Sequence, residues 1–236
     1  MKRFPSNSVG LVFTDPPWAT PTRPNIGRPN GVDLVANHVE YTAAFDFDQL
    51  ILEAERVLVP DGYALIWCGW HNVSHIIDTA NEVFGQGANN VIARITPNPS
   101  PRVRGLREEN GRKIGGGLVS SWDCIAVLHR KGSPTTRCSL FGYQDHRNVR
   151  FTEPDIAFIA ANPRGASHPA SKPIQLCREL ITAYSLPGDI VLDPCCGGGN
   201  ILKAAIMEGR VAAGCDSGTN SDNVPWADVA RTCVAT

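Results

Sequence analysis

No stretch of this sequence is apolar for long enough to cross a bilayer. The longest run, Tyr63 to Cys68, falls far short of the roughly 20 residues a spanning helix needs. A secretory leader is missing too: Met1-Lys2-Arg3 is basic, but Pro5, Ser6, Asn7 and Ser8 stand where its apolar stretch belongs. Both absences point to a cytoplasmic protein without a membrane partner. The eight cysteines (Cys68, Cys124, Cys138, Cys177, Cys195, Cys196, Cys215 and Cys233) include no C-x-x-C pair. They read as reduced, buried thiols rather than a disulfide framework or zinc site. His71, His75 and His168 lack metal-ligand spacing, so no metal is expected. There is no G-x-G-x-x-G, and no glycine loop followed by Lys-Ser/Thr, so neither phosphate-binding fingerprint applies. Internal repeats are absent.

A strong overall charge is also lacking, since the net charge is −1. Its distribution is uneven. Arg94 to Arg150 holds eleven Lys/Arg against four acids, a segment charge of +7. A basic middle in a nearly neutral chain suits a surface facing a polyanion, or equally a solvated insertion.

With 236 residues, the chain can bury the core of one α/β domain. Val9 to Thr14 reads as a buried strand that stops at Asp15-Pro16-Pro17-Trp18, since two prolines cannot continue a ladder. Residues 19–45 read as a long loop. Leu50, Ile51, Ala54, Val57 and Leu58 share a helical face, with Asp46 or Asp48 as its cap. Pro60-Asp61-Gly62 turns into a strand at Tyr63–Cys68. Ile76, Ile77, Ala80, Val83 and Phe84 mark a second helix, ended by Gly85. Strand and helix in alternation predict a largely parallel sheet covered on both faces. The middle is broken by Pro97, Pro99 and Pro101 and by Gly115–Gly117. Within it we expect one strand, Trp122–Leu128, and a short helix near 156–161. A helix through Ile174, Cys177, Leu180, Ile181 and Tyr184, capped by Ser171, restores regular order. A strand at Ile190–Leu192, a glycine loop, a helix from Ile201 to Ile206 closed by Gly209, and a strand at Val211–Cys215 follow. Trp67, Trp70 and Trp122 are expected in the core or a pocket wall.

Two loops carry chemistry. Gly197-Gly198-Gly199 lies between a strand and a helix, where a backbone without Cβ atoms admits a ligand. Asp216 ends the next strand, the position from which a carboxylate meets ribose hydroxyls. The pair suits an adenosyl ligand without polyphosphate; a tight turn with a surface acid is the plainer alternative. The second loop is Asp15-Pro16-Pro17-Trp18. An aromatic amine is a poor nucleophile because its lone pair is delocalised. The Asp15 carboxylate and the Pro16 carbonyl, stiffened by proline, could accept its N–H groups and localise that pair. Trp18 offers a face for an extruded base. An ordinary proline turn would look the same in isolation.

Together these segments resemble one family, the DNA amino-methyltransferases acting on cytosine N4 or adenine N6, in the class whose catalytic motif precedes the cofactor loop. The resemblance rests on Asn7 through Trp18, on Arg56-Val57-Leu58-Val59-Pro60-Asp61-Gly62, on His168-Pro169-Ala170-Ser171-Lys172-Pro173, and on Asp193-Pro194-Cys195-Cys196-Gly197-Gly198-Gly199-Asn200. It covers most of the chain except about 94–160. It implies a single domain over 1–236 with the Rossmann-like, seven-stranded methyltransferase fold, and a variable target-recognition region in the basic segment. It also implies S-adenosylmethionine as cofactor and base flipping in DNA, with Asp15 leaning toward adenine N6.

On this reading Asp15, Pro16, Pro17 and Trp18 are catalytic. Thr14, Lys172, Asp193, Pro194, Cys195, Gly197, Gly199, Asn200 and Asp216 hold the cofactor, and Arg102, Arg104, Arg107, Arg112 and Lys113 meet nucleic acid. Cys195 and Cys196 are expected to play no part in catalysis. The family's usual Phe, Ser and Thr of the cofactor loop are here Cys195, Gly198 and Asn200, and its strand with a G-D pair does not precede Val9. Cytosine-N4 methylation, RNA adenosine methylation, a homodimer that completes the site, and a degenerate partner-binding subunit are the other readings.

Overall fold

The computed structural model describes residues 1–17, 45–85, 89–95, 107–110, 112–114, 122–133, 149–151, 172–218, 224–225, 227–228 and 230–231. The expected loop at 19–44, the helix near 156–161 and the Ser171 cap lie outside them.

Strand β1 (Val9–Thr14) is buried at every position. Helix α1 (Phe47–Val57) starts at Asp46, whose carboxylate accepts the Gln49 N–H at 2.8 Å, satisfying a backbone donor the first turn leaves open. Strand β2 (Leu58–Cys68) then runs parallel to β1. The Pro60–Gly62 turn expected before it is instead a bulge within it. The step from Val9 to Leu11 on β1 spans Leu58 to Tyr63 on β2, so the extra residues are accommodated without ending the pairing. Helix α2 (Trp70–Val83) ends beside Gly85, at φ +92.

Strand β3 (Asn90–Ile95), the short strands β4 (Arg107–Glu109) and β5 (Arg112–Ile114), and β7 (Val149–Phe151) were not anticipated. Strand β6 (Trp122–His129) was, and it runs antiparallel to both β2 and β3. Helix α3 (Ile174–Tyr184) has Pro173 at its N-cap and no side-chain cap. Strand β8 (Ile190–Asp193), helix α4 (Asn200–Met207) and strand β9 (Val211–Gly214) complete the order.

The main sheet reads β7-β3-β6-β2-β1-β8-β9. It is mixed: β6 alone opposes its neighbours, and the remaining pairings are parallel. Alternation along the strands separates two cores. Val9, Val12, Ala64, Ile66 and Leu128 face α1 and α2. Leu11, Phe13, Leu65, Trp67 and Val191 face α3 and α4. Helices on both faces leave the carboxyl ends of the parallel strands as the open edge, where α/β sheets bind ligands.

Gly10 of β1 leaves no room for a side chain: a Cβ there would stand 2.4 Å from Asp189 Cγ. Asp189 in turn accepts the Leu186 N–H at 2.8 Å. Gly10→Ala is therefore expected to cost about 1–3 kcal/mol through overpacking. A lowered denaturant midpoint with an unchanged slope is the expected result.

Candidate active site

Strands β1 and β8 are parallel neighbours, with Val12 opposite Leu192. The corners that follow them, Asp15-Pro16-Pro17 and Pro194 to Gly199, therefore emerge side by side. They are also bonded: Thr14 Oγ1 donates to Asp193 Oδ1 at 2.7 Å, buried, and the Cys195 N–H donates to the same oxygen at 3.1 Å.

On the β1 side, Asp15 Oδ2 lies 2.7 Å from Lys172 Nζ, and both side chains are largely buried. The Lys172 ammonium also stands 5.2 Å from the centroid of the Trp67 ring, within cation–π range. Trp67 is fully buried and stacks on Phe13 with ring planes 8° apart. Its Nε1–H donates to Asp123 Oδ1 at 2.9 Å, while Arg94 pairs with Asp123 Oδ2 at 2.7 Å. The floor of the corner is thus an indole edged by two ion pairs. Of these residues, Arg94 belongs to the basic segment, and no spacing in the sequence marks Asp123. Trp67 lies in the core as expected. Trp70 and Trp122 do not, being 54% and 45% exposed; each stands at an element's start on the open edge.

On the β8 side, the chain turns through Gly197 (φ 45) and Gly199 (φ 86), left-handed conformations that favour glycine. Asp216, just beyond β9, accepts the Gly197 N–H at 2.9 Å on Oδ2 and the Gly218 N–H at 2.8 Å on Oδ1. Asn200 Nδ2 donates to the Lys172 carbonyl at 2.8 Å. Asn200 Oδ1 is buried with no hydrogen-bond partner among the described residues, an acceptor left for a ligand.

Burial pushes the Asp193 carboxyl up to about 7, against the opposing donors Thr14 and Cys195. Burial also raises Asp15, with Lys172 pulling the other way. The thiols of Cys195 and Cys196 are pushed up by burial and again by Asp193. They are held as neutral thiols, which are poor nucleophiles. Asp15 and Asp216 raise the buried Asp193 carboxyl further, a crowding that a cationic ligand relieves. With the glycine turn, the orphaned Asn200 oxygen and Asp216, this donor set fits S-adenosylmethionine.

The structure thus brings together Thr14, Asp15, Lys172, Asp193, Cys195, Gly197, Gly199, Asn200 and Asp216, with Pro16 and Pro194 between them. Trp18, Arg102 and Arg104 lie outside the described residues. Arg107, Arg112 and Lys113 fall on the β4–β5 ribbon. No group of three metal-ligating side chains occurs among the described residues, and no described helix is long and apolar enough to cross a membrane.

An open α/β sheet with a glycine turn and an acidic corner at adjacent strand ends is the setting in which such sheets bind nucleotide-like ligands. A family model, N6_N4_Mtase (DNA methylase), matches residues 9–221. The chain belongs to that DNA methylase family. Type II methyltransferase M.HpaI of Haemophilus parainfluenzae is 25% identical over 213 residues, covering 85% of this chain and 62% of that protein. Type II methyltransferase M.HhaII of Haemophilus parahaemolyticus is 25% identical over 222 residues, covering 91% of this chain and 85% of its own. The chain therefore spans less than two thirds of M.HpaI.

Two solved structures share the fold. PvuII DNA methyltransferase, cytosine-N4-specific, superposes with a TM-score of 0.65 at 17% identity over 99% of this chain and 88% of its own. The Thermus thermophilus protein TTHA0409, complexed with S-adenosyl-L-methionine, gives 0.63 at 23% identity with the same two coverages.

Asp193 holds its proton more tightly folded than unfolded, between its ordinary 3.8 and about 7. Its contribution to stability is present at low pH and is lost as pH rises through that window. The ligand-free protein should thus lose on the order of a few kcal/mol between about pH 4 and 7 through this group. Asp193→Asn should flatten the slope, with Asp15 supplying the remainder in the same direction. Denaturation midpoints across pH give the reading.

Proposed function

We propose that this chain transfers the methyl group of S-adenosylmethionine to the exocyclic N6 amine of adenine in DNA. The observation that carries the reading is the Thr14–Asp193 hydrogen bond, which keeps the Asp15 corner and the glycine turn in contact. Asp193, Pro194, Cys195, Gly197, Gly199, Asn200 and Asp216 hold the cofactor, with Asp216 toward its ribose. Bound there, S-adenosylmethionine supplies an electrophilic methyl group on a positively charged sulfur.

The chain's own contribution is to position and polarise the amine. A flipped adenine enters at the carboxyl ends of β1 and β2 and stacks on Trp18. The Asp15 carboxylate accepts one amine N–H and the Pro16 carbonyl the other, drawing the nitrogen toward tetrahedral geometry. The amine gives up one proton as it gains the methyl group, and the Asp15 carboxylate is the acceptor at hand. Arg102, Arg104, Arg107, Arg112 and Lys113 meet phosphates in the basic target-recognition region, giving affinity and salt dependence rather than sequence choice. The protein works inside a cell, where its thiols stay reduced.

Adenine is favoured over cytosine because the catalytic tetrad begins with Asp15. DNA is favoured over RNA because the glycine loop follows that tetrad in the chain. The test is transfer of a labelled methyl group to duplexes that carry adenine or cytosine as the acceptor. Label should enter the adenine duplex. Asp15→Ala should lower kcat by about 10²–10³-fold while calorimetry shows the cofactor still bound. Equal labelling by both proteins removes Asp15 from the mechanism; label in the cytosine duplex alone moves the acceptor to N4.

A further inference from the structure

The family resemblance places Lys172 with the cofactor residues, and its ammonium pairs with the catalytic-corner residue Asp15. Nζ is 2.7 Å from Asp15 Oδ2, while the main-chain carbonyl of Lys172 accepts from Asn200 Nδ2 at 2.8 Å. One residue therefore touches both corners through different atoms. Resting on the methyl-transfer reading, we propose that Lys172 is a positioning residue of the reaction. Its ammonium keeps Asp15 ionised inside the closed corner and occupies Oδ2, which leaves Oδ1 to accept from the substrate amine.

The charges around Asp15 decide the argument. Asp15 sits in a site whose burial favours the neutral carboxylic acid. A neutral acid presents an O–H that donates, so it could not draw on an amine N–H in the same way. Among the described residues, the titratable groups around it besides Lys172 are Arg94 on β3, Asp123 on β6, Asp193 on β8, Cys68 on β2 and Cys177 on α3. Arg94 is paired with Asp123 at 2.7 Å, so those two largely offset each other at Asp15. Asp193 can only add negative charge. Burial raises both thiols, keeping them neutral. Lys172 is the cation in direct contact. Its stem cannot swing freely: the residue is 9% exposed and the ammonium rests 5.2 Å from the buried Trp67 ring.

The split between side chain and main chain makes the role separable. Lys172→Met removes the ammonium and keeps the carbonyl that receives Asn200. The experiment follows the Asp15 carboxyl by carbon-13 NMR, its signal assigned through Asp15→Asn, in the wild-type protein and in Lys172→Met, Lys172→Gln and Lys172→Arg. The acid limb of kcat/KM and the calorimetric affinity for S-adenosylmethionine are measured alongside. Losing an opposite charge at contact distance should move the Asp15 midpoint and the acid limb upward by about one to three pH units. Lys172→Arg should return both toward the wild-type position, and cofactor affinity should hold throughout.

Lys172→Gln, neutral but still a donor, gives the same reading should Lys172→Met fail to fold. An unmoved Asp15 midpoint in the neutral variants overturns the proposal. So does a loss of cofactor affinity with the midpoint unchanged, which would return the side chain to the cofactor side. If the wild-type protein methylates no DNA, the proposed function fails on its own, while the carboxyl titration still decides whether Lys172 ionises Asp15.

Discussion

Thr14 and Asp193 lie at the ends of adjacent parallel strands, and a single buried hydrogen bond ties their side chains together. Everything at the open edge of the sheet depends on that adjacency. It places the acidic proline corner against the glycine turn, and it requires β1 and β8 to run in the same direction in register. The strand order supplies this with a crossover: the first strand of the chain pairs with one of the last. A catalytic corner written near one terminus and a cofactor turn written near the other thus meet at a switch point of the sheet.

The electrostatics of this edge follow from burial. Asp15 and Asp193 are largely buried at adjacent strand ends and Asp216 stands half-buried beyond β9, and among the described residues only Asp15 of the three has a lysine at ion-pair distance. Burying carboxylates side by side is costly. It becomes favourable when a positively charged ligand enters, because the acids need no reorganisation to meet it. Trp67 supports the arrangement from below. Its ring is held by Phe13, by Asp123 and by two cations at its face, so the floor is rigid where the reacting groups need fixed positions.

Much of this was legible from residue pattern. The elements with unbroken apolar periodicity (β1, α1, α2, β6, α3 and β8) stand where the pattern puts them, because a two-sided sheet demands continuous burial. Strand β3 escaped notice because only Ile92 of its residues is fully buried, which leaves a weak alternation. The β4–β5 ribbon carried a signal that could have found it: Asn110-Gly111 between paired Glu109 and Arg112, with Asn110 at φ 53. That dipeptide is a strong hairpin marker, but here charged rather than apolar residues flank it. Strand β7 exists only through pairing with a distant strand. The contacts of Lys172, Asp123 and Arg94 are likewise tertiary, and spacing along the chain cannot reveal them. Trp70 and Trp122 stand at the open edge rather than in the core, because hydrophobicity alone does not say which end of an element lies at the surface.

Gly199 has a neighbour that ties the turn to the far end of the chain. A Cβ on this residue would come within 2.9 Å of the Ala230 backbone, and Ala230, itself buried, packs with Cys196 and Leu202. Ala230 is therefore the keystone of the turn, filling the space a side chain on Gly199 would need. Changes in these two stretches cannot accumulate independently: a larger residue at either one must find its room in the other.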